Sequence, residues 1–325
     1  MSKPLITCIL TTRRRPQLLK RAIESVLNQT YPHLQVCVYD NASGDETAQV
    51  VSEIAKTDPR VKYFCHTENI GPANNIFYGV KNVNTPFFSH LADDDYLLPN
   101  FYADAIPILE NNSDLMFFGG TTLMMRDDKV MGTLPPNPSK RKEKIYRPPE
   151  GFRQITKGHI CAPSVLFRTT DNIKRNGLCH PDPRWCEFDF EFTISRKSAY
   201  YYSHKLCAVY LSHPEYTHYN EFDKNLVSLN KLAGRHLTSP EMTTTMRLLL
   251  FLWFIKISRG LISQLLAKDK KIDELMEEAT SILNLHKTPY SYILLLRIFY
   301  KLLKYCPFLL NLKFTRKIKR IINLN

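Results

Sequence analysis

Three consecutive carboxylates, Asp93, Asp94 and Asp95, sit inside HLADDDYLLP at residues 90–99. Like charges this close repel and raise one another's pKa unless something positive lies among them. A run of Asp can cap a helix or make Asx turns. It can also hold Mg2+ or Mn2+, which take oxygen ligands and use one or two carboxylates together with substrate phosphates. A metal diphosphate would relieve the repulsion, and the metal would neutralise charge on a departing oxygen. A second acid, Asp40, ends the strand-like VYD; it is either a turn residue or an acceptor for a nucleobase N–H. A third group lies in WCEFDFEF, where Glu187, Asp189 and Glu191 alternate with aromatics. That alternation also suits an ordinary half-buried segment, and Trp185 with its neighbouring Phe residues offers faces for a sugar ring.

The elements that must position these acids alternate strand and helix. PLITCILTT, LQVCVYD, VKYFCH and FFSHL read as buried strands. Between them, PQLLKRAIESVLNQ has apolar residues at helical spacing with Pro16 as an opener. NASGDETAQVVSEIAKT is a turn and a helix with Ser43 or Asp45 as N-cap, and PANNIFYGVKNV is a third helix. This order predicts an α/β fold with a mainly parallel sheet flanked by helices. Ligands bind beyond the carboxyl ends of such strands, where Asp40 and the triplet fall. Residues 134–151, rich in proline and charge, read as a long mobile loop. From about residue 221 the signal is helical to the end. The chain thus divides into a domain at 1–220 and a basic, apolar helical region at 221–325.

The 325 residues carry a formal charge of +13, which points to anionic partners such as nucleic acid, acidic lipid or phosphorylated substrates. No apolar run precedes the first strand, so a secretory signal is not expected. LLLFLWFI at 248–255 is far short of the roughly 20 residues a spanning helix needs. The eight cysteines show no CxxC, and Cys179, His180 and Cys186 lack a paired zinc pattern. A reducing cytoplasm fits this usage. The lack of G-x-G-x-x-G after the first strand argues against a dehydrogenase.

LITCILTTRRRPQLLKRAIESVLNQTYPHLQVCVYDNASGDET, then NIGPANN, then HLADDDYLLP resembles the amino-terminal half of a family-2 glycosyltransferase with the Rossmann-like GT-A fold. The resemblance is strong over residues 4–100, weaker to about 215 and absent after that. It implies a nucleotide-sugar donor, usually a UDP-sugar, a divalent cation (Mn2+ or Mg2+) and transfer with inversion. On this reading Thr11, Thr12, Arg13, Arg15, Asp40, Asn69, Asp93 and Asp94 surround the nucleotide-sugar. Asp95, with Asp93 and His213, holds the metal. Inverting transfer needs one carboxylate to take the acceptor's proton, implied here as Asp189, then Glu187, then Glu191. Two positions depart from the family's pattern: Arg14 replaces the usual Asn, and Ala92 stands where an acid is common.

The tail carries large apolar faces interrupted by Lys and Arg, suited to packing on the domain or lying on an anionic membrane surface. Such contact, at the inner face of the cytoplasmic membrane, would suit a saccharide or lipid-linked acceptor. No nucleic-acid motif accompanies the charge. The alternatives are a non-catalytic nucleotide-sugar or membrane-surface binding protein of the same fold, and a sugar nucleotidyltransferase, whose Gly-rich phosphate loop is missing here.

Overall fold

The computed structural model describes residues 5–171, 173, 185–212, 221–266, 272–285, 288 and 290–305. It divides into two compact units, Met1–Tyr216 and Thr217–Asn325.

The first unit is built on β1 (Ile6–Thr12), β2 (Leu34–Asp40), β3 (Val61–Cys65) and β4 (Phe87–Ala92), all mutually parallel. Almost every β1 residue is buried, as expected of a central strand covered on both faces. The helices α1 (Pro16–Leu27), α2 (Thr47–Thr57) and α3 (Pro72–Lys81) connect them. α1 opens on Pro16, whose missing N–H costs nothing at a helix start. It buries Leu19, Ala22, Ile23 and Val26 at helical spacing. α3 approaches the sheet at Gly79, where an added Cβ would lie 2.6 Å from the Ile9 side chain.

The sheet then continues in mixed sense. After β5 (Tyr96–Leu97) and α4 (Phe101–Asn111) come β6 (Leu115–Arg126), β7 (Lys129–Leu134), β8 (Lys144–Tyr146), α5 (Glu150–Lys157) and β9 (Val165–Arg168). α6 (Cys186–Ser195) and β10 (Ala199–Leu211) complete the unit. The strand order is β3-β2-β1-β4-β9-β6-β10-β5, with β7 on β6 and β8 on β10. Antiparallel β9 joins the parallel quartet to the parallel pair β6 and β10.

Three local expectations change. α1 ends at Leu27 because Gln29 turns inward: its Nε2 donates to Leu98 O at 2.7 Å and its Oε1 accepts from Tyr102 N. This ties the chain beyond α1 to the loop that follows the acidic triplet. At α2 the N-cap position is Glu46, neither Ser43 nor Asp45; Ser43 serves Asp40, and Asp45 accepts from the Thr47 amide and hydroxyl. Residues 134–151 are not an open loop. They contain a 3-10 turn and β8, and Arg141 is buried, donating to Gln154 O and Gly158 O under the Tyr202 ring.

The second unit consists of α7 (Phe222–Leu237), α8 (Thr244–Leu266), α9 (Ile272–Leu285) and α10 (Tyr290–Tyr305), packed on one another. Each buries residues at helical spacing, such as Leu226, Leu229 and Ala233, or Ile293, Leu296 and Tyr300. Leu248, Leu294, Leu295 and Ile298 remain exposed. Among the described residues no helix is long and apolar enough to cross a membrane.

Candidate active site

Strand register assembles the site. Thr12 pairs with Asp40 across β1 and β2, and Thr11 pairs with Ala92 across β1 and β4. Because these strands are parallel, residues distant in sequence meet at one carboxyl edge, where α/β sheets bind ligands.

Asp40, 1% exposed, is held on both oxygens. Oδ1 accepts from Ser43 N at 2.9 Å and Ser43 Oγ at 2.6 Å, and Oδ2 accepts from Tyr63 OH at 2.6 Å. A carboxylate has about four acceptor positions, so these three donors leave one for a further N–H. Next to it, Asn69 Oδ1 accepts from Asn41 Nδ2 and Gly71 N, which shapes the turn into α3. Arg14 takes a left-handed φ of 57°, a conformation Asn tolerates better than long side chains. Its backbone N–H donates to Ser43 Oγ and its Nε to Ser43 O, which pins the conformation. Arg13 and Arg14 are otherwise exposed.

The acidic triplet has cationic company from within the chain. Arg15 donates to Asp94 Oδ2 at 2.6 Å and Asp93 Oδ1 at 3.3 Å. Asp93 Oδ2 also accepts from Thr12 Oγ1 at 2.7 Å and Arg13 N at 3.3 Å, while Arg21 donates to Asp94 O. Asp93 and Asp94 thus have a cation beside them within the chain itself. Burial still raises the Asp93 carboxyl despite these donors. Asp95 differs. Its Oδ1 accepts one bond, from Leu211 N at 3.0 Å, and its Oδ2 has no hydrogen bond among the described residues. Burial first, then the neighbouring Asp94, pushes its pKa well above the ordinary carboxylate range. A buried carboxylate with one uncommitted oxygen at a strand end fits a Mg2+ or Mn2+ that takes most other ligands from phosphate and water.

Across from this edge stands α6. Glu187 and Glu191, one helical turn apart, line a common pocket with His90, while Asp189 lies roughly half a turn round the helix. Glu187 Oε2 is 3.4 Å from His159 Nε2, and Oε1 accepts from Ala162 N at 3.4 Å. Burial would raise Glu187, but the His159 hydrogen bond and charge outweigh it and lower the pKa. Glu187 is also among the charges that raise Asp95. Glu191 is the opposite case: burial pushes it up to about 8, so near neutrality it carries a proton and is unsuited to take one. Among the described contacts, Glu187 is the acid of α6 that acts on the triplet, through Asp95. His213 lies outside the described residues, as do Cys179 and His180.

Three groups were not singled out from sequence. His90 contacts Thr11 Oγ1 at 3.1 Å, and burial lowers its pKa to about 4, so it is neutral. His159 and Cys161 place ligand atoms within 4.8 Å of Glu187's. Glu187 raises the His159 pKa against the effect of burial, whereas burial drives the Cys161 thiol well up, leaving an ion pair beside a neutral thiol. His90 lies in β4, three residues before the triplet begins, which was the available signal; GHIC carried none.

Comparison with known proteins bears on the family and the fold. A glycosyltransferase of Rickettsia typhi is 27% identical over 208 residues, 62% of this chain and 62% of that protein. A GalNAc(5)-diNAcBac-PP-undecaprenol beta-1,3-glucosyltransferase of Campylobacter jejuni is 38% identical over 96 residues, 29% of this chain and 31% of that protein. The chain therefore spans less than two thirds of either relative. S. aureus TarS 1-349 in complex with UDP-GlcNAc superposes with a TM-score of 0.66 at 14% identity, covering 92% of this chain and 91% of its own. The mannosyltransferase PcManGT from Pyrobaculum calidifontis, in complex with GDP-Man and Mn2+, gives 0.56 at 14%, covering 94% and 88%. At that identity the likeness is one of fold. The family described as Glycosyl transferase family 2 matches residues 7–170, about half of the chain, and the protein belongs to it.

Proposed function

We propose that the protein transfers a sugar, with inversion, from a nucleotide-sugar (a UDP-sugar) to a saccharide or lipid-linked acceptor. The observation that carries this reading is the pairing of two unlike carboxylates at one edge. Asp95 has an oxygen with no hydrogen bond among the described residues, and Glu187, lowered by His159, bears on it electrostatically.

Asp40 accepts a base N–H, Thr12 and Asp93 hold the ribose, and Arg15 lies within reach of the diphosphate. Asp95 would hold Mn2+ or Mg2+, which when bound supplies positive charge to the leaving diphosphate. Glu187 removes the acceptor hydroxyl's proton as the new glycosidic bond forms and the bond to the diphosphate breaks. One base suffices, so no covalent sugar–protein intermediate arises. Support for a UDP donor comes from the TarS complex, and for a lipid-linked acceptor from the Campylobacter relative's named substrate. The exposed leucines and isoleucine of α8 and α10, with the basic tail, would let the enzyme lie on the anionic inner face of the cytoplasmic membrane.

Metal-dependent release of UDP from a panel of UDP-sugars tests this. Wild type should release UDP with Mn2+ and not with chelator. Asp95→Asn should lose both release and Mn2+-strengthened UDP binding, whereas Glu187→Gln should lose release and keep the binding. Failure of UDP to bind at all would overturn the reading.

A further inference from the structure

Beside Glu187 a pocket of about 70 Å³ lies between α6 and the sheet, with Ile76, Ile160, Val165 and Phe167 among its walls. One of its few polar groups is Glu191, 4% exposed. Glu191 Oε1 accepts from Ile160 N at 2.7 Å, whereas Oε2 is buried with no partner among the described residues. Buried polar atoms are almost always paired, so an orphan at the wall of an apolar pocket marks a missing ligand group. With its pKa raised by burial, Glu191 is protonated near neutrality. Oε1 already receives an N–H, so the proton sits on Oε2 and seeks an acceptor.

The missing group must then have an acceptor oxygen, apolar bulk and small size. Water satisfies the first demand only, and needs two to four polar partners to stay. The volume is about half of the ~150 Å³ apolar cavity that admits benzene, enough for roughly three or four heavy atoms. We propose that this pocket receives the acyl-amide group of an N-acylated amino sugar, its carbonyl accepting from Glu191 and its methyl lying against Val165 and Phe167. Because Glu187 forms part of the same wall, the sugar concerned is one of the two at the reacting centre. A donor carrying the group beside its anomeric carbon and an acceptor carrying it beside the attacking hydroxyl both qualify. The inference rests on the glycosyl-transfer reading.

The donor arm measures, by competition with UDP, binding of UDP-GlcNAc against UDP-glucose and of UDP-GalNAc against UDP-galactose. The acceptor arm compares kcat/KM for methyl N-acetylglucosaminide against methyl glucoside, using the best donor. We expect a preference of roughly 10- to 100-fold for the N-acyl member in one arm, since a site built to hydrogen-bond a group rejects analogues lacking it. Glu191→Leu should abolish that preference, and Glu191→Gln, whose amide still donates, should keep it. Should Glu191→Leu fail to fold, Val165→Leu narrows the same pocket and should lower the preference. UDP binding with no N-acyl preference in either arm overturns the pocket assignment alone. So does a preference untouched by Glu191→Leu or, in its place, Val165→Leu. No binding of UDP overturns the glycosyl-transfer reading itself, and the pocket assignment with it.

Discussion

The two sides of the site treat their carboxylates differently. At the strand ends, Asp40 receives three donors, and Asp93 receives Thr12, Arg13 and Arg15. On α6, Glu187 has two contacts of 3.4 Å and Glu191 has an oxygen without a partner among the described residues. A carboxylate fixed by several short bonds is rigid and recognises ligand geometry. One that is loosely held can gain or lose a proton, or wait for a ligand to complete it. On the proposed reading, the strand side binds and the helix side reacts and selects.

The largest effect should come from exchanging the acids of α6. Glu187→Gln removes the proton acceptor and should lower transfer by about 10²- to 10⁴-fold, with UDP affinity unchanged. Asp189→Asn, on another side of the helix, should stay within about threefold of wild type. Steady-state kinetics of the two variants decides the matter, and the reverse pattern would move the base to Asp189.

Next comes stability across pH. Glu191 rises from 4.5 to about 8 on folding, through burial opposed by His159, the Ile160 N–H and Arg141 and reinforced by Glu187. The native state therefore binds a proton that the unfolded chain has released over this window, so stability falls as pH rises from 4.5 to about 8. The accumulated cost is on the order of 3–5 kcal/mol. Glu191→Gln, which cannot ionise, should be more stable than wild type at pH 8.5 and little different at pH 4.5. Denaturant melts at the two pH values test this; equal differences would mean that Glu191 ionises freely in the fold.

The contrast also explains what could be seen in the sequence. The strand side was legible because parallel strands with continuous apolar runs place their last residue at a known edge: Thr12, Asp40 and the triplet follow from periodicity alone. The helix side was not. WCEFDFEF offers three acids within five residues, and only the rotation of α6 decides which faces the sheet. That rotation is set by aromatic contacts from other elements, such as Phe190 with Phe117 and Phe167, and Phe192 with Phe152. His159 is recognisable only once β9 brings the GHIC segment beside the helix. Residues 134–151 misled because their proline content signals irregular backbone, while the burial of Arg141 depends on carbonyls that α5 supplies later.

A smaller effect should follow from removing Glu187's cation. Pairing with His159 stabilises the fold only while both are charged. It is lost on the acid side as Glu187 protonates through its lowered pKa, and on the alkaline side as His159 deprotonates through its raised one. In His159→Gln, the strongest influence opposing burial at Glu187 is lost and its pKa rises. The acidic limb of kcat/KM should then shift to higher pH, costing up to roughly tenfold in rate at pH 6 and less at pH 8. A uniform loss across pH would reduce His159 to a packing role.

The smallest effect tests the strand side. Arg15 is 42% exposed where it meets the buried Asp93 and Asp94, so solvent screens the pair and its loss should cost only about 1 kcal/mol. Arg15→Gln nevertheless leaves adjacent carboxylates with less positive charge between them. A divalent cation would then have less to compete with, so millimolar Mn2+ should raise the melting temperature of Arg15→Gln more than that of wild type. Arg15→Lys, which keeps the charge but not the forked geometry, should fall between them. Equal stabilisation of all three would mean that Arg15 and the cation occupy independent positions. The strand side would then be fixed by its own hydrogen bonds, whatever charge arrives.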